Sequence, residues 1–139
     1  MAQNNNEQQH IQQRYMEFQA LQEQIKEITE HLEKISSRIE EVGNIINNVG
    51  ELSELKDDTE ILVPISNGIF INAKSIKKGD FLVNVGGKTV VNKNKDQVIE
   101  LLKKQKQELT ELQINMANDL ENLEVNAKNI QKELEAIMG

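Results

Sequence analysis

The sequence predicts a mainly α-helical fold with a small β part: a long antiparallel two-helix coiled coil whose helices are joined by two β-hairpins. Three observations predict it. Ile11, Phe18, Ile25, Leu32, Ile39 and Ile46 recur every seven residues, with Leu21, Ile28, Ile35, Val42 and Val49 in the other seam position. That is the signature of a helix with one narrow apolar seam. The middle of the chain then alternates apolar with other residues and is broken by Asn-Gly and Gly-Gly pairs, the pattern of short strands and tight turns. A second apolar stripe of similar length follows, and matched arms on either side of hairpins favour pairing within one chain.

Residues 1–9 are rich in Asn and Gln and carry no apolar period, so a disordered tail is expected there, leading into a first helix over 10–50. Glu23, Lys26, Glu27, Glu30, Glu33 and Lys34 fall outside the seam and supply a solvated face. Asn44, Asn47 and Asn48 weaken helix propensity, and Gly50 is the expected stop before a polar linker over 51–59. Two hairpins are expected over 60–92. Ile61, Val63 and Ile65 share one face of the first strand and Leu62 and Pro64 the other, with Pro64 favouring an edge or a bulge. Asn67-Gly68 turns the chain into a strand over 69–75, and Lys78-Gly79-Asp80 makes the next turn. A strand over 81–85 then meets one over 89–92 through a two-residue type I′ turn at Gly86-Gly87.

Asn94 or Asp96 caps a second helix over 94–138. Its apolar positions begin Val98, Leu102, Leu109, Leu112 and Met116, and continue through Leu120, Leu123, Ala127, Ile130, Leu134 and Ile137. The step from Met116 to Leu120, where Asp119 would continue the repeat, reads as a stutter.

Most apolar residues of this 139-residue chain, of which 3% are aromatic, are committed to the two stripes. No large core or sequestering pocket is expected. A net charge of -7 with Lys scattered among Glu disfavours nucleic acid and points to protein partners. With no cysteine, no apolar run of bilayer length and no charged-then-apolar leader, a soluble cytoplasmic protein is expected. His10 and His31 have no second ligand nearby, the carboxylates sit on helix surfaces, and Gly86-Gly87 lacks the lysine spacing of a phosphate loop. The expectation is a non-enzyme with no metal, cofactor or membrane association.

Two surfaces remain as candidates for function. In the strands Ile61, Val63, Ile69, Ile71, Phe81, Val83 and Val85 form one apolar face, and Leu62, Phe70, Leu82 and Val90 the other. Two small hairpins cannot bury both faces, so these strands are expected to mediate assembly. At the far end of the helices Ile11, Tyr15, Met16 and Phe18 approach Ile130, Leu134, Ile137 and Met138 as an expected substrate-binding tip. Phe18, Ile130 and Leu134 also fit the seam register, whereas Tyr15, Met16 and Met138 fall beside it and suit exposed contacts with flexible apolar ligands.

The order helix, hairpin, hairpin, helix resembles the prefoldin family, specifically its alpha class of archaeal type. The resemblance covers nearly the whole chain. It is carried by Leu62-Val63-Pro64-Ile65 with Gly68 and Phe70, by Phe81-Leu82-Val83-Asn84-Val85-Gly86-Gly87, and by Val90-Val91 before the second helix. Where the family has a Gly-small-Gly turn, this chain has Gly86-Gly87-Lys88. The resemblance implies an ATP-independent co-chaperone in which two alpha-class and four beta-class chains form an intersubunit double β-barrel with projecting coiled coils. Their tips hold unfolded client polypeptides and deliver them to a group II chaperonin. A filament-forming gamma-type prefoldin, or a structural scaffold coiled coil, is the alternative.

Overall fold

The computed structural model describes residues 2–76 and 80–138, with side chains from Asn4 onward. The elements follow in the order α1 (Ala2–Ser53), β1 (Glu60–Ser66), β2 (Ile69–Lys74), β3 (Asp80–Gly86), β4 (Thr89–Asn94) and α2 (Lys95–Met138). The expected turn at Lys78-Gly79 lies outside the described residues.

Helix α1 begins at Ala2, so the segment expected as a disordered tail is helical. Gln and Glu are good helix formers, and extending an existing helix by one residue is far less costly than nucleating a new one. At its other end α1 runs through Gly50, which keeps a negative φ and so does not act as a left-handed cap. The helix instead tightens at its close. Glu54 N–H donates to the Glu51 carbonyl and Leu55 N–H to that of Leu52, while the Ser53 hydroxyl donates to the Gly50 carbonyl. These bonds occupy carbonyls that a helix end leaves unpaired. The two helices are 52 and 44 residues long rather than closely matched.

The linker 54–59 is fastened to the end of the first hairpin. Asp58 N–H donates to the Ser75 carbonyl at 2.7 Å, Ser75 N–H to that of Thr59 at 3.0 Å, and the Ser75 hydroxyl to that of Lys56 at 2.7 Å. Strands β1 and β2 pair antiparallel from Glu60↔Lys74 to Pro64↔Phe70, with an irregularity before Ser66↔Ile69, and Gly68 alone in the turn takes a positive φ. The break falls beside Pro64, as a residue without an N–H leads one to expect.

Strands β3 and β4 pair from Asp80↔Asn94 to Asn84↔Val90, and a second irregularity precedes Gly86↔Thr89. The turn is therefore centred on Gly87-Lys88, one residue later than the expected Gly86-Gly87. Gly87 and Lys88 have φ values of 56° and 64°, which is the pair of positive angles a type I′ turn requires. Gly86, at a φ of 116°, is spent on the register shift, and its N–H is held by the Asn84 side chain at 2.9 Å. Among the described residues the strands form two separate two-stranded sheets.

Strand β4 passes into α2 through a reciprocal cap. Gln97 N–H donates to Asn94 Oδ1 at 2.9 Å, and Asn94 N–H donates back to Gln97 Oε1 at 3.0 Å. Of the two expected capping residues Asn94 is the one used, and Asp96 lies in the first turn, where its charge suits the positive helix end. Asn94→Ala is expected to lower stability by about 1 kcal/mol, measured by chemical denaturation.

The chain divides into two compact bodies. One comprises residues up to Arg38 and those from Leu109, and here the helices pair antiparallel. The Gln113 amide donates to Ser36 Oγ at 2.9 Å, and Arg14 Nε lies 3.3 Å from Glu133 Oε2. The α1 seam from Ile11 to Ile35 is half-buried, and Ala127, Ile130 and Leu134 of α2 are buried. The other body, Ile39–Glu108, holds both hairpins and a helical core of Val42, Val49, Val98 and Leu102.

The α2 seam differs from expectation. Leu112 is 46% exposed, whereas Gln113 is half-buried and bonded across the pair. With Gln113 in place, the seam runs through Leu109, Gln113, Met116, Leu120, Leu123, Ala127, Ile130 and Leu134 in an unbroken alternation of four- and three-residue steps. There is no stutter. A polar residue occupies the position that an apolar-only count skipped. Such a layer fixes register at some loss of stability, so Gln113→Leu is expected to raise the helical unfolding midpoint, followed by circular dichroism.

Candidate functional site

Two regions stand out, each within one body. The first is the hairpin surface. Pairing in register puts Val63 beside Ile71 and Ile61 beside Ala73 on one side of the first hairpin, and Pro64 beside Phe70 on the other. Ile61 is half-buried, but Leu62, Val63, Ile65, Ile69, Phe70 and Ile71 are all exposed, so both sides of this hairpin present apolar surface. The second hairpin is asymmetric. Phe81 and Val83, with their partners Lys93 and Val91, are half-buried, whereas Leu82 is 76% exposed and Val85 and Val90 are exposed with it. A lone two-stranded hairpin is marginal in water, and both of these leave clustered apolar side chains exposed.

The second region is the end of the helix pair in the other body. Arg14 occupies the seam step between Ile11 and Phe18 and spans to α2. Its Nη1 donates to Glu17 Oε2 at 2.8 Å, and His10 Nε2 lies 3.4 Å from Glu133 Oε1. The bond to Glu17, and then the charge of Glu133, raise the Arg14 pKa above its already high ordinary value, so the guanidinium stays charged. The three- and four-residue seam step that runs through position 14 is the sequence signal for this residue, and it is missed when only apolar letters are counted.

The eight residues expected at the tip divide by burial. Ile130 and Leu134 are each 8% exposed and belong to the seam. Ile11 and Phe18 are half-buried. Tyr15, Met16, Ile137 and Met138 are exposed, Met16 at 67% and Met138 at 75%. His10 and Ile11 line a shallow depression with Ile137, which brings the two helix ends to one place. Among the described residues no cluster of His, Cys, Asp or Glu is placed to hold a metal ion, and no helix is long and apolar enough to cross a membrane.

The family model described as prefoldin subunit matches residues 21–139, which takes in most of α1, both hairpins and α2. The chain belongs to the prefoldin family. It is similar to the prefoldin subunit alpha of Thermofilum pendens, with 40% identity over 53 residues. That match spans 38% of this chain and about two fifths, 41%, of the curated relative's length. The fold is similar to that of a chain in the cryo-EM structure of filamentous PFD from Methanocaldococcus jannaschii, with a TM-score of 0.74 over 84% of this chain and 96% of that one. At 15% identity this likeness concerns the fold alone. Within the prefoldin fold, the two exposed apolar regions of this chain fall on its hairpins and on its helix ends.

Proposed function

We propose that this chain is an alpha-class prefoldin subunit that holds unfolded polypeptide at its helix ends without ATP and delivers it to a group II chaperonin. The hairpins join it to beta-class subunits through an intersubunit β-barrel, two alpha with four beta. Its place of work is the cytoplasm, and it carries no catalytic role.

The observation that carries client binding is the exposure of Tyr15, Met16, Ile137 and Met138 around an end whose own seam is already closed by Ile130 and Leu134. These side chains are not needed to hold the helices together, and methionine adapts to apolar partners of varied shape. Covering about 300 Å² of apolar surface gives roughly 7 kcal/mol before association and ordering costs, so one arm binds weakly. Several arms on one platform bind firmly through effective concentration.

Tyr15→Ser, Met16→Ser and Met138→Ser together are expected to abolish most suppression of light scattering from a denatured, aggregation-prone protein. Helical circular dichroism and the mass of the assembly should stay unchanged. Full suppression by the triple variant would remove the helix ends from client binding.

A second reading is favoured by the hairpin surface, which can equally join copies of this chain end on end into a filament or scaffold. Electron microscopy of the protein alone separates the two. Small species that form a closed complex when a beta-class partner is added support the co-chaperone, and long fibres support the scaffold.

A further inference from the structure

Beside the seam in the first body, a groove of about 510 Å³ starts at the ion pair of Arg14 and Glu133 and continues to Gln24. Its floor is Leu21 and Ile130, kept open by the small side chain of Ala20, and its rim carries the amides of Gln24, Asn126 and Asn129. All three amides are exposed, and none has a side-chain partner among the described residues. The charge at the mouth is largely satisfied internally, because Arg14 pairs with both Glu17 and Glu133.

We propose that this groove binds an extended, uncharged stretch of non-native polypeptide, with Gln24, Asn126 and Asn129 hydrogen-bonding the client's main chain. The inference rests on the client-binding reading above and adds a second site to it.

A side-chain amide is neutral and offers both donors and an acceptor, and so does each peptide unit of an unfolded chain. The match is to the main chain, so it is indifferent to client sequence. It still discriminates, because a folded protein has its main-chain groups already paired and an unfolded one does not. The ten-residue span of α1 from Arg14 to Gln24 measures about 15 Å, long enough for four or five residues of extended chain. The groove opens at the end where Tyr15 and Met16 stand exposed, so a client gripped there can continue along it.

The test uses the full chain in its native assembly and a short fluorescent peptide of alternating Val and Ser, compared with the same peptide N-methylated along its main chain. Asn126→Ala with Asn129→Ala, both exposed helix positions where Ala raises helix propensity, should weaken the plain peptide about tenfold by fluorescence anisotropy. The methylated peptide should bind the unaltered protein comparably weakly and lose nothing further in the double variant. Ala20→Arg, which fills the groove, should reproduce the loss.

Equal binding of the two peptides, or unchanged affinity in both variants, overturns the groove even where the Tyr15, Met16 and Met138 variant still loses aggregation suppression. Absence of suppression by the unaltered assembly would instead overturn the underlying client-binding reading.

Discussion

Phe70→Asp combined with Leu82→Asp is expected to release this chain from its assembly as a single, still helical subunit. Both side chains are exposed, Phe70 at 56%, and neither contributes to the buried core of its own body. Completing the burial of Leu62, Ile65, Ile69, Phe70, Ile71, Leu82, Val85 and Val90 is worth about 1.5 kcal/mol apiece, or roughly 12 kcal/mol gross, against association costs of comparable size. Two of these contributions are lost in the variant. Two carboxylates would also have to be buried without partners, at several kcal/mol each, which turns a favourable association unfavourable. Light scattering after gel filtration reads the mass, and circular dichroism shows whether the helices persist. An unchanged assembly mass would mean that the hairpins are not the joining surface.

Val42→Asp is expected to have the largest effect on the fold itself. Val42 has no exposed surface and is the largest fully buried side chain among the described residues. Around it the helical core of its body is thin, with Val49, Val98 and Leu102 as the other buried apolar residues. A carboxylate at this position has no buried polar group to receive it. We expect a loss of more than about 4 kcal/mol, with melting of the helices in this body, against about 2 kcal/mol for Val42→Ala, which leaves only a small cavity. Urea denaturation followed by circular dichroism measures both. Equal costs for the two variants would show that the helices part easily enough to let the carboxylate reach water.

The element order and the α1 seam were legible because each seam residue from Phe18 to Val49 is apolar and recurs with helical period. The same counting failed in α2 at Leu112 and Gln113. Apolar letters alone point to Leu112, yet a glutamine bonded to Ser36 holds the position and the leucine faces water. Arg14 escaped for the same reason, since a charged residue satisfied by Glu17 and Glu133 leaves no trace in a hydrophobic pattern. The ends of α1 were misjudged in both directions of reasoning. Asn and Gln at the start suggest disorder and Gly50 a stop, but helix extension from a long packed seam overrides these weak local preferences.

The hairpin turns were legible to within one residue. Asn67-Gly68 carries the positive φ at Gly68, but the second turn moved to Gly87-Lys88 because Gly86 is absorbed by the register shift. A run of adjacent glycines announces a turn without saying which of them the strand keeps.

By itself the sequence determined the two helices, the two hairpins between them and the apolar character of both candidate surfaces, since periodicity is a property of the chain alone. Only the tertiary structure decided which of those apolar residues stand exposed. Ile130 and Leu134 are closed into a seam, Tyr15, Met16, Ile137 and Met138 stand outside it, and both sides of the first hairpin lie open. The physical reason is that burial depends on the surface a partner element presents, and a sequence names a residue's hydrophobicity without naming what covers it.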